Sequence, residues 1–183
     1  MASSDSSKVD EPHRAQAPSA LLIDPLARFQ KGPALDVACG RGRNALYLAS
    51  QGFDVVGIDR DPEAIAFCKA EASRLGVALT LQEVDLEQPH PLPDGPYALV
   101  TCFYYLDRTL LPDLKKAVRP GGHLVYETFL IDQHTQFGKP GRREFCWEHN
   151  ELLRHFLDFQ ILFYFEGLKE ERWIVQLVAE RSK

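Results

Sequence analysis

The chain is poor in cysteine, with four in 183 residues: Cys39, Cys68, Cys102 and Cys146. No two of them stand at metal-ligand or redox spacing, so no metal site is expected and the thiols read as isolated and reduced. No stretch approaches the roughly 18 consecutive apolar residues of a membrane span. Residues 1–20 are rich in Ser, Pro, Ala and charge and lack the apolar run of a signal peptide. They read as a flexible polar tail on a cytoplasmic protein with no membrane partner. Basic excess is missing too. The formal net charge is -5 and no basic face stands out, so nucleic acid is not an expected partner. No repeat and no internal linker interrupt the rest. A hydrophobic fraction of 45% and a charged fraction of 26% are those of an ordinary globular protein. Residues 21–183 suffice for one domain with its own core.

Within that domain, apolar runs alternate with helical patterns. After a short lead-in helix over 21–29, strands are expected at 34–38, 54–58, 79–84, 97–103 and 124–129. Helices fall between them near 44–50, 61–75 and 110–118. Asp61-Pro62-Glu63 carries an N-cap, a first-position proline and an early acid, and Gly76 closes that helix. Residues 89–96 read as a proline-rich loop, and 119–122 as the turn into the fifth strand. Such alternation predicts a parallel sheet with helices on both faces. The C-terminus departs from it. After a helix near 150–156, strands at 160–165 and 173–179 are joined by a polar stretch over 166–172. That join is too short for a parallel crossover, so the two strands should form an antiparallel hairpin. The expectation is an α/β, Rossmann-like three-layer sandwich, with a mostly parallel seven-stranded sheet ending in an antiparallel C-terminal hairpin.

Gly40 and Gly42 follow the first strand directly and precede a helix. Glycine there permits positive φ and close backbone approach to a ligand, while the helix N-terminus favours an anionic group. Gly40-x-Gly42-x-x-Ala45, with Asp59 further on as a ribose-binding acid, also satisfies the dinucleotide fingerprint of an NAD(P)-dependent oxidoreductase. Three features point instead to a methyl donor. Asp36 lies inside the strand, where a dinucleotide site wants apolar residues. Arg43 opens the helix, and the sheet closes with a hairpin. Asp36 in a buried strand needs a partner on any reading, because an unpaired buried carboxylate is costly.

The stretch LDVACGRGRN resembles the nucleotide-binding motif of class I S-adenosylmethionine-dependent methyltransferases, with Ala38 where the family often has its first glycine. The resemblance continues in VVGIDRDPEAI and LQEVDLEQ, and covers residues 35–127, with the hairpin extending it to the end. It implies a cofactor, S-adenosyl-L-methionine, with S-adenosyl-L-homocysteine as product. Asp36, Ala38, Cys39, Gly40, Gly42 and Asn44 would form the turn around it. Asp59, with Arg60 beside it, would take the ribose hydroxyls. Asp85 would hold the adenine amino group and Leu86 offer a backbone N–H to the ring, with Cys102 and Phe103 at the end of the fourth strand. Within the family, CGRGRNALYLASQGFDVVGID, RPGGHLVYETFL and QFGKPGRREFCWEHNELLRHF are most similar to the small tellurite-resistance-type methyltransferases, which implies a small-molecule acceptor.

On the acceptor side, Cys102-Phe103-Tyr104-Tyr105 stands where enzymes that methylate base or glutamine nitrogens carry an Asn/Asp-Pro-Pro-Tyr/Phe tetrad, which argues against those substrates. Phe103, Tyr104 and Tyr105 are candidates for lining the methyl channel, their rings suited to a sulfonium. Residues 127–149 form a long connection placed where a lid would lie. They bring His134 and His149 as candidate bases, and Gly138-Lys139-Pro140-Gly141-Arg142-Arg143 as a candidate anion-binding run. Arg28 and Arg43 are candidates for the methionine carboxylate. No catalytic acid or base is demanded, since proximity and orientation alone can supply roughly 7–11 kcal/mol. A cofactor-binding protein without turnover remains a further alternative.

Overall fold

The computed structural model describes residues 17–89 and 92–183. The expected tail therefore lies mostly outside the described residues, as do His90 and Pro91 of the proline-rich loop. Seven strands form one sheet in the order β3-β2-β1-β4-β5-β7-β6. In chain order these are β1 Pro33–Val37, β2 Asp54–Asp59, β3 Thr80–Glu83, β4 Tyr97–Phe103, β5 Val118–Phe129, β6 Phe159–Lys169 and β7 Arg172–Arg181. The first five run parallel; β7 is antiparallel to β5, and β6 to β7. Strand order reverses between β1 and β4, so the crevice at their carboxyl ends is where such a sheet takes a ligand.

The central strands read as they pack. Ala34, Leu35 and Val37 of β1 and all of β4 are buried, as expected of strands covered by helices on both faces. One core gathers Leu35, Val100, Leu124 and Trp147; the other gathers Ala34, Leu48, Leu99 and Val125 on the opposite face. The helix α3, Pro62–Leu75, behaves as its caps demand. The Asp61 carboxylate accepts the Glu63 N–H at 2.9 Å, Pro62 fills the first turn, and Gly76 ends it at φ 67°. Its small buried residues Ala64, Cys68 and Ala72 repeat every four positions, letting it lie close to α2, Arg43–Ser50.

Four expectations need correction. Residues 119–122 are not a turn ahead of the fifth strand but part of β5, which starts at Val118. The lead-in is not one helix: α1, Ala20–Ile23, stops before Pro25, and a separate 3-10 turn, Leu26–Arg28, follows. The connection over 127–149 is not an open loop. It holds α5, Ile131–Phe137, and a 3-10 turn, Arg143–Phe145, and closes through a parallel bridge between Leu130 and Trp147. Burial of Trp147 anchors it. The hairpin is longer than expected, since β6 and β7 stay paired out to Lys169 and Arg172. Only Glu170 and Glu171 turn the chain, at φ 48° and 63°. Both angles are positive, as a twist-matched two-residue hairpin turn requires, yet neither residue is the usual Asn or Gly. The remaining helices, α4 Leu111–Ala117 and α6 Glu151–His155, lie near their expected places.

Candidate cofactor and acceptor site

The turn after β1 is built from backbone shape. Ala38, Gly40 and Gly42 all have positive φ (53°, 54° and 82°). A Cβ on Gly40 would meet nothing within 4 Å, whereas one on Gly42 would lie 2.1 Å from the Cys68 Sγ. Gly42 is therefore fixed by helix packing as well as by its positive φ, and Gly40 by its positive φ alone. The Asp59 carboxylate ties this turn to the end of β2. Its Oδ2 accepts the Gly40 N–H at 2.7 Å and its Oδ1 the Asp61 N–H at 3.0 Å. Each oxygen keeps a second lone pair for a ligand hydroxyl.

Asp36 has the partner its burial demands. The Thr101 hydroxyl donates to its Oδ1 at 2.6 Å, and the two residues lie side by side in the β1–β4 register. Burial pushes its carboxyl up to about 6; the Thr101 hydroxyl, the Ala45 backbone amide and the Arg43 charge pull the other way. Asp36 thus titrates closer to neutrality than an ordinary carboxylate.

Ahead of this turn, a cavity of about 330 Å³ opens at the carboxyl ends of the strands, within the roughly 300–1,000 Å³ usual for small-molecule sites. It is lined by Ala38, Asp59, Arg60, Val84, Asp85, Leu86 and Glu87, and by Tyr104, Tyr105, Leu106, Thr128, Phe129, Pro140 and Phe145. The Asp85 carboxylate is exposed and lies below the usual carboxylate range, chiefly because Gln88 donates to it at 3.0 Å. Arg60 pairs with Glu87 at 3.3 Å across the rim.

The structure thus gathers seven of the residues singled out from sequence: Ala38, Asp59, Arg60, Asp85, Leu86, Tyr104 and Tyr105. The others stand behind them. Cys39 is buried and Cys102 is fully buried, its Sγ 3.7 Å from the Tyr105 carbonyl; burial pushes both thiols up. The Asn44 side chain accepts the Ser19 N–H at 3.0 Å, holding the lead-in segment. Phe103 is buried, with the Arg43 guanidinium 5.8 Å from its ring centre. His134 is turned toward the Pro140 carbonyl, 2.8 Å from its Nδ1, and so braces the cavity wall without lining it. His149 lies 2.8 Å from Asp132 and 3.3 Å from Glu166, outside the cavity. Arg28 is exposed in the 3-10 turn. In the basic run, Arg142 and Arg143 pair with Glu144 and Glu148.

Val84, Glu87, Leu106, Thr128, Phe129 and Phe145 line the cavity without having been singled out from sequence, Pro140 enters it from the candidate basic run, and Thr101 is the unforeseen partner of Asp36. Thr101 alone left a signal: a polar residue in an otherwise apolar central strand, opposite the only acid of the neighbouring one.

Residues 34–122 match the methyltransferase domain family. That match spans a little under half of the chain, and within it the chain is similar to methyltransferases. Among curated relatives, a ubiquinone biosynthesis O-methyltransferase of Pectobacterium carotovorum is 34% identical over 102 residues, 51% of this chain and 41% of that protein. The probable S-adenosyl-L-methionine-dependent methyltransferase TehB of Haemophilus influenzae is 28% identical over 155 residues, 81% of this chain and 53% of that protein. The chain therefore spans roughly half the length of these relatives. The crystal structure of Haemophilus influenzae TehB superposes with a TM-score of 0.76 at 20% identity, covering 88% of this chain and 61% of that one. That likeness places the fold. No described helix is long and apolar enough to cross a membrane.

The residues present fit S-adenosylmethionine, the cofactor named for the TehB relative. Asp59 has lone pairs free at the mouth of the turn, Gly40 leaves the space beside it open, and buried Asp36 lies behind it with its carboxyl raised to about 6.

Proposed function

We propose that residues 21–183 form a cytoplasmic enzyme that transfers the methyl group of S-adenosylmethionine in line to a small-molecule acceptor. One observation carries the reading: Asp59 is held by two backbone amides, one of them from the glycine turn, while lining the same cavity as Asp85 and Leu86. Asp59 would take the ribose hydroxyls, Asp85 the adenine amino group, and the Leu86 backbone a ring nitrogen. Asp36 and Arg43, behind the turn, would balance the charges of the amino acid end.

When bound, the cofactor supplies an electrophilic methyl group on a sulfonium. The chain's own work is to hold, orient and keep dry. Tyr104, Tyr105 and Phe129 also line the cavity, and their rings suit a sulfonium. Leu106, Pro140 and Phe145 complete an apolar wall.

The test is calorimetry. S-adenosylhomocysteine should bind one to one, and Asp59→Ala should weaken it by tenfold or more, since each of two ribose hydrogen bonds to a charged group contributes about 1.5–3 kcal/mol. Heat with a nicotinamide dinucleotide and none with S-adenosylhomocysteine would return the oxidoreductase reading. Binding without any methylated product across thiols, amines and phenols would leave a binding protein.

A further inference from the structure

Rings and charges are unevenly placed around the cavity. Asp59 ends β2 and Asp85 follows β3, on one side of β1 in the strand order; Tyr104 follows β4 and Phe129 ends β5, on the other. All four line the cavity. Tyr104 and Phe129 pack against each other at 5.2 Å between ring centres. The connection after β5 adds Phe145, a bulky apolar ring that is nevertheless 42% exposed. Open rings grouped in this way suit a flat aromatic ligand, because ring pairs gain beyond simple area burial. They suit an anion poorly. Among the lining residues Arg60 is the sole cation and pairs with Glu87 at 3.3 Å, while Asp59 and Asp85 add negative charge. Arg142, stacked on the Phe145 ring at 4.8 Å, pairs with Glu144. Arg43, 5.7 Å from the Tyr104 ring centre, does not line the cavity and serves the amino acid end of the cofactor in the reading above.

Phe145 has no strand or long helix to hold it. It ends the 3-10 turn Arg143–Phe145, and its own N–H donates to the Arg142 carbonyl at 3.2 Å. Arg108 grips this turn from outside, two residues after Leu106 of the cavity lining. Its Nη1 donates to the Glu144 carbonyl and its Nη2 to the Cys146 carbonyl, both at 2.9 Å. Those are the carbonyls of the residues on either side of Phe145. Nε and Nη2 also reach the two Glu151 oxygens at 2.7 and 2.9 Å, and the guanidinium lies 4.8 Å from the Trp147 ring centre. A planar fork with five donors can hold a carboxylate and two carbonyls at once in a fixed geometry, which an ammonium does not reproduce. Arg108 thereby ties the segment after β4 to the one that carries Phe145.

We propose that the acceptor is a flat, uncharged aromatic compound that packs on Phe145, and that Arg108 is the positioning residue that holds Phe145 in place for it. The inference rests on the methyltransferase reading above and names the acceptor class. Arg108 does not line the cavity, so it acts on the acceptor only through the backbone on either side of Phe145. The Tyr104–Phe129 pair supplies a second ring surface at the ends of β4 and β5. Removing the Phe145 ring while keeping apolar bulk weakens flat acceptors and leaves saturated ones as they were. Removing the Arg108 fork does the same, and adds nothing once the ring is gone, because two residues that act as one unit are not additive. A carboxylate on the acceptor meets a lining whose charges are matched or negative, and binds more weakly. For a hydroxyl acceptor, the oxygen lone pair forms the bond to carbon, the carbon–sulfur pair stays on sulfur, and the hydroxyl proton passes to water.

The experiment uses the full chain and two flat probes, catechol and naphthol. Each stands beside a saturated counterpart, cyclohexanediol or decahydronaphthol, and a carboxylated one, protocatechuate or hydroxynaphthoate. Calorimetry reads the Kd of each probe for the S-adenosylhomocysteine complex, and turnover with S-adenosylmethionine reads KM and kcat. At least one flat probe should bind about tenfold more tightly than both its counterparts. Phe145→Leu should raise the Kd and KM of that probe about 2- to 10-fold, with kcat little changed and the saturated counterpart unaffected. Phe145→Tyr, which keeps the ring, should retain native values. Arg108→Lys should raise the same KM without lowering kcat, and the double variant should match Phe145→Leu alone. S-adenosylhomocysteine affinity should stay native in all of them. A native KM in Arg108→Lys, or losses that multiply in the double variant, would overturn the positioning role. S-adenosylhomocysteine binding with no flat probe preferred over its counterparts would overturn the acceptor class alone. No S-adenosylhomocysteine binding would remove the methyltransferase reading beneath it.

Discussion

Gly42→Ala tests how the cofactor turn is held, because structure and space give different costs at its two glycines. At Gly42 the φ of 82° is left-handed, and a Cβ would stand 2.1 Å from the Cys68 Sγ and 3.1 Å from its Cβ. Sγ is buried in the α2–α3 seam and has nowhere to swing. Left-handed geometry costs an alanine about 1–2 kcal/mol, and overpacking a filled site a further ~1–3 kcal/mol. Gly40→Ala meets the first cost and not the second, since its Cβ would meet nothing within 4 Å. Urea denaturation of the two variants should therefore differ by about 1–3 kcal/mol, Gly42→Ala being the less stable. Thermal midpoints should follow at roughly 2–4 °C per kcal/mol for a chain of this size. In a Cys68→Ala background the Gly42→Ala penalty should fall toward that of Gly40→Ala, because the clash with sulfur is gone and the backbone strain remains. Equal midpoints for the two single variants, or a penalty at Gly42 indifferent to Cys68, would refute the packing argument.

Other outcomes follow from the same geometry. Asp36 is raised from 3.8 to about 6 by burial, so its neutral form is favoured in the folded chain. Its contribution is complete below about pH 4 and is lost as pH rises through about 6, which is roughly 3 kcal/mol at ~1.4 kcal/mol per unit. Urea midpoints of native protein minus Asp36→Asn should show that slope between pH 4 and 6; parallel curves would contradict it. Arg108 clasps Glu151 at 2.7 and 2.9 Å, donates to the Glu144 and Cys146 carbonyls, and stacks on Trp147 at 4.8 Å. Arg108→Ala should cost about 2–3 kcal/mol and speed amide exchange at Cys146 and Trp147. Arg108→Lys should not restore protection, having no planar fork. Unchanged exchange there would mean that Trp147 alone anchors the segment.

The parts of this molecule that sequence discloses are those in which local chemistry and tertiary role coincide. Asp61, Pro62 and Gly76 mark α3 because capping is local, and Asp36, Asp59 and Asp85 stand at strand ends because a parallel sheet gathers those ends in one crevice. The fold class and hairpin were legible for the same reason. What stayed hidden depends on long-range placement. Glu170 and Glu171 adopt positive φ because the ladder between β6 and β7 imposes it, and nothing in two glutamates announces that turn. The helix α5 was taken for loop because its seven residues are too few for a clear period, and docking stabilises it. Gln133 accepts the Trp173 N–H at 2.7 Å and Ile131 donates to the Trp147 carbonyl at 2.9 Å. Phe145 and Pro140 reach the cavity only through that docking, so no spacing rule pointed to them.

On the proposed reading the cofactor's adenosine should lie between Asp59 and the Asp85–Leu86 step. Methyl NMR of the full chain titrated with S-adenosylhomocysteine reads this directly. Saturable shifts are expected at the Ala38 and Leu86 methyl groups, with intermolecular contacts from ribose protons to Ala38 and from the adenine ring to Leu86, and none at Leu157, which is 71% exposed. Saturable binding that leaves Ala38 and Leu86 unmoved would contradict it.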